Sequence, residues 1–252
     1  MSSSKPPKIL AVFDFDSTLV EASCDHYILN VISESVGPPN SGWSYPPSTM
    51  WGMPPIYRTL QERGVRPTDL LRCLEEIHYV HGMQDLLLEL ARRGHEIIII
   101  SDCNSVFIGH TLKKAGLQDC VTDIFTNPAW FDEKGRFRLS EYHHQDWCDL
   151  CPPNLCKGQI LQNYIRKRYA EGEQFLFVAY VGDGQNDFCP CLCLDSHDLV
   201  LPRFGFDLYR TINAEKSHSS NKHRLIVRSK VIPWENGFNV KRAILDEIRR
   251  YK

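Results

Sequence analysis

Two acids that follow a short apolar run constrain this chain more than any other feature. Residues 9–13, Ile-Leu-Ala-Val-Phe, have the length and the aliphatic and aromatic content of a buried strand. Asp14 and Asp16 come directly after it. In extended chain, residues two apart point the same way. Both carboxylates therefore leave the strand end facing one small volume. Carboxylates forced that close repel each other unless a cation sits between them or one is protonated. Carboxylate, water and phosphate oxygens are the ligands Mg²⁺ prefers. The pattern predicts a metal-assisted site at the carboxyl end of a first strand, where open α/β sheets gather their ligands. The same spacing also suits a turn or a helix N-cap, so the assignment depends on what lies downstream.

Downstream, strands and helices alternate. Residues 21–36 carry helical apolar spacing. Residues 37–49 are dense in Gly, Pro and Ser and read as loop. Helices are predicted near 53–63 and 68–77, the second with Thr68 as N-cap after Pro67. Residues 82–93 form an amphipathic helix stopped at Gly94. Residues 96–102 hold a continuous isoleucine run, typical of a parallel strand buried on both faces. A helix over 104–115, a strand over 123–126 and a hairpin over 130–139 with Gly135 in its turn follow. Then come a helix over 157–171, a strand over 175–181, strands at 199–201 and 225–227, and a closing helix over 238–251. Residues 218–223 read as loop. The alternation predicts an α/β fold with a doubly wound parallel sheet. Residues 22–79 lack a convincing strand and form a helical insertion after the first strand.

Composition excludes several function classes. A net charge of −2 over 252 residues gives no general field for nucleic acid or a membrane surface. No apolar run approaches the roughly 18 residues a spanning helix needs. The first eight residues lack the apolar stretch of a signal peptide. A cytoplasmic enzyme is expected, whose ten cysteines form no disulfide framework. Cys103 and Cys120 read as small hydrophobes.

Asp14-Phe-Asp16-Ser-Thr18 resembles the first motif of the haloacid dehalogenase superfamily of phosphatases. The likeness extends from Ile9 to about Trp234. Within that superfamily the chain is most similar to the phosphoethanolamine/phosphocholine phosphatase and pyridoxal phosphate phosphatase-like branch. The resemblance implies a Rossmannoid core over 8–21 and 80–252, with 22–79 as a small helical cap over the active site. It implies Asp14 as the nucleophile that forms an aspartyl phosphate. Asp16 then protonates the leaving alcohol and deprotonates the attacking water, and its carbonyl joins the metal shell. Thr18 completes the motif, or caps the next helix. Ser101 can donate to a phosphoryl oxygen, and Lys157 can neutralise charge on the transferring group. Gly182-Asp183-x-x-Asn186-Asp187 follows a strand and precedes a helix, which places Asp183 to ligate Mg²⁺ with Asn186 and Asp187 nearby. It lacks the third glycine of a dinucleotide fingerprint, and no Walker A sequence is present.

Two further acids bear on substrate choice. The resemblance matches Asp25 and Asp102 to acids that contact the amine end of phosphoethanolamine or phosphocholine. A cationic head group in a closed pocket needs a carboxylate opposite it. Trp43, Trp51 or Tyr57 would add cation–π contact. Otherwise Asp25 is a helix-start acid and Asp102 an N-cap. The expectation is a Mg²⁺-dependent phosphomonoesterase of small phosphorylated metabolites, monomeric or homodimeric. Pyridoxal 5′-phosphate, thiamine monophosphate and pyrophosphate are the alternative substrates. A non-catalytic interaction protein would have lost some of Asp14, Asp16, Lys157 and Asp183; all are present. Finally, Cys148-x-x-Cys151 with Cys156 and His143 has either the donors of a structural Zn²⁺ site or reduced thiols that pack a loop, whereas Cys189, Cys191 and Cys193 read as core.

Overall fold

The computed structural model describes residues 8–36, 53–217 and 225–251. In chain order, β1 (Lys8–Phe13) leads to α1 (Cys24–Val36), α2 (Met53–Glu62), α3 (Pro67–Leu74), α4 (Met83–Arg92) and β2 (Glu96–Asn104). Then come α5 (Ser105–Lys114), β3 (Asp123–Asn127), the β4 (Ala129–Phe131) and β5 (Phe137–Leu139) hairpin, α6 (Lys157–Ala170) and β6 (Phe175–Gly182). The chain closes with α7 (Phe188–Leu192), β7 (Leu199–Pro202), α8 (Asp207–Ser217), β8 (Lys230–Val231) and α9 (Gly237–Arg250).

The main sheet has the order β3-β2-β1-β6-β7-β8, and each neighbouring pair is parallel. The isoleucine run explains why both faces must be covered. Ile97 and Ile99 point to one side with Ile9, Ala11 and Phe13, while Ile98 and Ile100 point to the other with Leu10 and Val12. On the first side these residues pack with Leu86 of α4, Phe107 of α5 and Ile244 of α9. On the second they pack with Leu161 of α6, Cys191 of α7 and Leu208 of α8. The period-two alternation of β1 and β2 thus becomes a three-layer molecule with apolar cores on both faces.

The insertion between β1 and β2 is helical, as expected. Among the described residues, 22–79 hold α1, α2 and α3. The two connections to the sheet are clasped together: Val20 and Tyr79 form an antiparallel bridge. The Glu21 amide donates to the His78 carbonyl and the Val80 amide to that of Leu19, each at 2.9 Å. Ile28, Ile56, Leu60, Leu70 and Leu74 join the same apolar core as the sheet.

Two expectations change. Pro67 opens α3 and Arg66 occupies the N-cap position, so Thr68 does not cap. Proline pre-sets the first helical φ and lacks an amide there to satisfy, while the Asp69 carboxylate accepts the Arg66 amide at 2.9 Å. The sixth strand is Lys230–Val231 and not 225–227. Leu225 and Ile226 are 41% and 57% exposed, whereas Trp234 is buried, bridges Arg203 and donates its indole N–H to the Leu201 carbonyl at 2.8 Å. A short apolar triplet carries no register information; burying Trp234 selects the segment that pairs. Helix α8 had no forecast. The loops expected at 37–49 and 218–223, with Trp43 and Trp51, lie outside the described residues. No helix among the described residues is long and apolar enough to cross a membrane.

Candidate active site

Register brings the motifs together. Phe13 lies opposite Ile99 of β2 and Val181 of β6. Asp14 is one residue past Phe13, Ser101 two past Ile99 and Asp183 two past Val181. All three therefore sit at one edge of the sheet, where β1 lies between strands whose connections run in opposite directions. That is the switch point at which doubly wound sheets bind ligands.

Lys157 is the centre of the arrangement. It is fully buried at the start of α6, and its Nζ contacts Asp14 Oδ2 at 2.9 Å and Asp187 Oδ1 at 2.7 Å. A buried ammonium demands such partners, and Asp14, Asp187 and Asp102 hold its pKa above the ordinary value against desolvation. Asp187 is itself fully buried. Its Oδ1 also accepts the Tyr180 hydroxyl at 2.6 Å, and its Oδ2 accepts the Asp183 and Gly184 amides at 3.0 Å each. Gly182 makes room for this carboxylate: a Cβ there would stand 2.4 Å from Asp187 Oδ2.

The acids of the first motif occupy different surroundings. Asp14 Oδ1 accepts the Phe15 amide at 2.7 Å. Burial pushes Asp14 up to about 7 although Lys157 opposes the shift. Asp16 is half-buried and accepts the Cys24 amide at 3.2 Å. Burial pushes it up to about 8, with repulsion from Asp25 and Asp14 adding to the effect. Thr18 donates its hydroxyl to Asp183 Oδ1 at 3.1 Å, so it ties the first motif to the fourth and does not cap a helix. Burial, then repulsion from Asp14 and Asp187, raises Asp183 to about 8. Carboxylate oxygens of Asp14, Asp183 and Asp187 lie within 4.8 Å of one another. Asp187 is already occupied by its hydrogen-bond donors, but Asp14 and Asp183, crowded and with raised pKa values, form a donor set that a hard divalent cation fits, since it removes the repulsion.

Ser101 is buried, and its hydroxyl oxygen accepts the Cys103 amide at 3.4 Å. Asp102 is half-buried and raised by burial, an effect that the nearby Lys157 and Asn186 oppose. It does not cap α5. Asn104 does, accepting the Phe107 amide at 3.0 Å. Asp25 lies in the first turn of α1, accepts the Tyr57 hydroxyl at 2.6 Å and is pushed up to about 6 by burial. It feels the charges of both Asp16 and Asp102. The Tyr57 ring packs on Phe107 and Phe137.

Several residues of the site were not foreseen. Ser17 has a φ of 53°, a strained backbone for a residue with a side chain. Arg203, just past β7, donates to the Ser17 carbonyl at 2.6 Å and lies over the Phe206 and Trp234 rings. Asn127 donates to the Asp102 and Cys103 carbonyls at 2.7 and 3.1 Å and so supports the end of β2. A single Arg or Asn outside any motif gives no sequence signal. Away from the acids, Cys148, Cys151 and Cys156 gather with Cys189. His143, expected as a fourth ligand, is not in that group: its Nε2 accepts the Cys156 amide at 2.9 Å. Cys189 belongs there because the start of α7 packs against the start of α6.

Residues 9–248 match the family described as "Putative Phosphatase". The chain is 34% identical over 237 residues to the pyridoxal phosphate phosphatase PHOSPHO2 of Mus musculus, covering 92% of this chain and 95% of that protein. It is 35% identical over 245 residues to the phosphoethanolamine/phosphocholine phosphatase of Homo sapiens, covering 96% and 90%. In fold it is similar to a haloacid dehalogenase-like hydrolase of Streptococcus pneumoniae, with a TM-score of 0.53 at 13% identity over 94% of this chain and 98% of that one. The conjunction of Asp14, Lys157 and Asp183 at one sheet edge thus sits in a chain that belongs to this phosphatase family, on the haloacid dehalogenase-like α/β fold.

Proposed function

We propose that the protein hydrolyses small phosphomonoesters with a cationic head group, phosphoethanolamine and phosphocholine above others, through a phosphoaspartate on Asp14. Asp14 and Asp183, with the Asp16 carbonyl, would hold Mg²⁺. Asp187 would not, because four donors already occupy its oxygens. When bound, the cation supplies positive charge to the phosphoryl oxygens and lets both acids ionise.

Asp14 attacks phosphorus, and the bond to the leaving alkoxide breaks. Asp16, raised to about 8, is protonated at neutral pH and delivers that proton to the leaving oxygen. In the second step it takes a proton from water, whose oxygen attacks phosphorus and returns the Asp14 carboxylate. Lys157 stays charged throughout and stabilises the equatorial oxygens, while Ser101 donates its hydroxyl to one of them. Helices α1–α3 act as a cap that limits entry to small substrates.

The observation that carries the substrate assignment is the acid pair Asp25 and Asp102. Neither has a task in phosphoryl transfer, yet both interact electrostatically with the acids of the first motif. Pyridoxal phosphate is the second reading, favoured by the relative from Mus musculus that is named for it. The test is turnover on phosphoethanolamine, phosphocholine, pyridoxal phosphate, thiamine monophosphate and pyrophosphate, by wild type and Asp14→Asn. Wild-type kcat/KM is expected to be highest on the first two. Asp14→Asn is expected to stay folded and lose about 10⁴-fold or more in kcat. A preference for pyridoxal phosphate would overturn the substrate assignment, and an active, folded Asp14→Asn protein would overturn the nucleophile.

A further inference from the structure

Ten cysteines are free of disulfides, and four of them converge from two separate stretches of chain. The Sγ atoms of Cys148, Cys151, Cys156 and Cys189 all lie within 4.8 Å of one another. The Cys148–Cys189 separation is 3.6 Å and the Cys156–Cys189 separation 4.0 Å. A disulfide needs about 2.05 Å. Four sulfurs about 2.3 Å from one ion in a tetrahedron stand about 3.8 Å apart. The cluster has the second spacing, and cysteines contacting merely as core residues would have no reason to converge on one point.

The surroundings fit a metal knuckle. The buried Gln145 side chain donates to the carbonyls of Cys148, Cys151 and Pro152 at 3.1, 3.0 and 2.9 Å, and accepts the Cys148 amide at 2.9 Å. This wraps the loop backbone around Gln145 and leaves the thiols to face α7. The Lys157 and Gln159 amides, in the first turn of α6, lie beside the sulfurs of Cys151 and Cys156 and favour their thiolate forms, as backbone amides do around metal-bound thiolates. Gly158 lets α7 approach: a Cβ there would stand 2.5 Å from the Cys189 sulfur. Cys193 stays outside the set, its thiol directed to the Cys189 carbonyl at 3.5 Å.

We propose that Cys148, Cys151, Cys156 and Cys189 form a structural tetrathiolate Zn²⁺ site. It staples the loop before α6 to the start of α7, and its third ligand directly precedes Lys157. All four positions are protein sulfurs, so the site is closed and takes no substrate.

The test uses the full chain and needs no substrate, so it stands apart from the phosphatase reading. Elemental analysis of protein desalted into chelator-free buffer is expected to find about one zinc per chain. Mercurial titration is expected to release that zinc as these four thiols react. Protein grown on cobalt is expected to show intense visible d–d bands and sulfur-to-metal charge transfer in the near ultraviolet. Cys189→Ser is expected to lose metal or weaken the charge-transfer bands, while His143→Ala and Cys120→Ser keep the wild-type spectrum. If Cys189→Ser does not fold, the wild-type zinc content and cobalt spectrum decide alone. Folded wild-type protein with no zinc and four freely titratable thiols would overturn the proposal. So would an unchanged cobalt spectrum in Cys189→Ser, or its loss in His143→Ala.

Discussion

Asp187 does not touch the phosphoryl group in this scheme, yet it organises the residues that do. It receives Lys157, Tyr180 and two backbone amides, and Gly182 leaves the space it fills. Gly182→Ala is expected to displace Asp187 and misdirect Lys157, lowering kcat about 10²-fold with the protein still folded by circular dichroism. Substrate choice belongs to this scale as well. Asp25→Asn and Asp102→Asn are expected to raise KM for phosphoethanolamine about tenfold or more, the size of one lost charged contact, and to leave KM for p-nitrophenyl phosphate nearly unchanged. Equal effects on both esters would return the two acids to fold or general chemistry. Burial lifts Asp25 to about 6, so it carries full charge only above that pH. The ratio of kcat/KM for phosphoethanolamine over p-nitrophenyl phosphate is therefore expected to fall as pH drops from about 7 to about 5. The ratio cancels the titration of the enzyme groups that serve both reactions alike.

Element packing is close where the start of α9 meets the start of α4. The Gly237 amide donates to the His81 carbonyl at 2.7 Å, and a Cβ on Gly237 would stand 2.3 Å from the Gly82 backbone. Backbone at that distance cannot rotate away as a side chain could. Gly237→Ala is expected to push α9 outward and destabilise the fold by about 1–3 kcal/mol. Gly109 is the internal control: it lies within α5, and nothing stands within 4 Å of its added Cβ. Gly109→Ala is expected to stabilise by about 0.5–1 kcal/mol through helix propensity and unfolded-state entropy. Urea midpoints of the two variants, shifted in opposite directions, would check both.

The whole molecule couples its active site to its stability through crowded acids. Asp14, Asp16 and Asp183 rise to about 7, 8 and 8, above the unfolded value of about 3.9. Raised acids favour the protonated fold. In metal-free protein their contribution is full below about pH 4 and is lost as pH climbs through about 8. A bound cation offsets that loss, so Mg²⁺ is expected to stabilise more at high pH than at low. At 100 times its Kd the gain is about 2.7 kcal/mol, or about 5–10 °C in Tm for a chain of this size. Melting curves with Mg²⁺ and with EDTA at about pH 8 and about pH 5 measure it. A Mg²⁺ shift that is equal at both pH values would contradict the link between these acids and the metal.

The order of strands and helices, the parallel sheet, the helical insertion and the acids at the strand ends were all legible in the chain. Each is a local pattern: period-two or period-3.6 burial, a breaker, or a spacing that points side chains one way. Lys157 and Asp183 were legible through a family pattern and met Asp14 only when β6 paired with β1 and α6 packed on the sheet. Other features had no local signature. Arg203 reaches Ser17 across 186 positions of sequence, and Trp234 decides which segment becomes β8 by where it is buried. Cys189 is core, as its sequence reads, and also takes the place in the sulfur cluster expected of His143, because two helix starts pack together. Periodicity reports which face of an element is buried. What that face meets depends on contacts between residues far apart in sequence, and only the tertiary structure decides those.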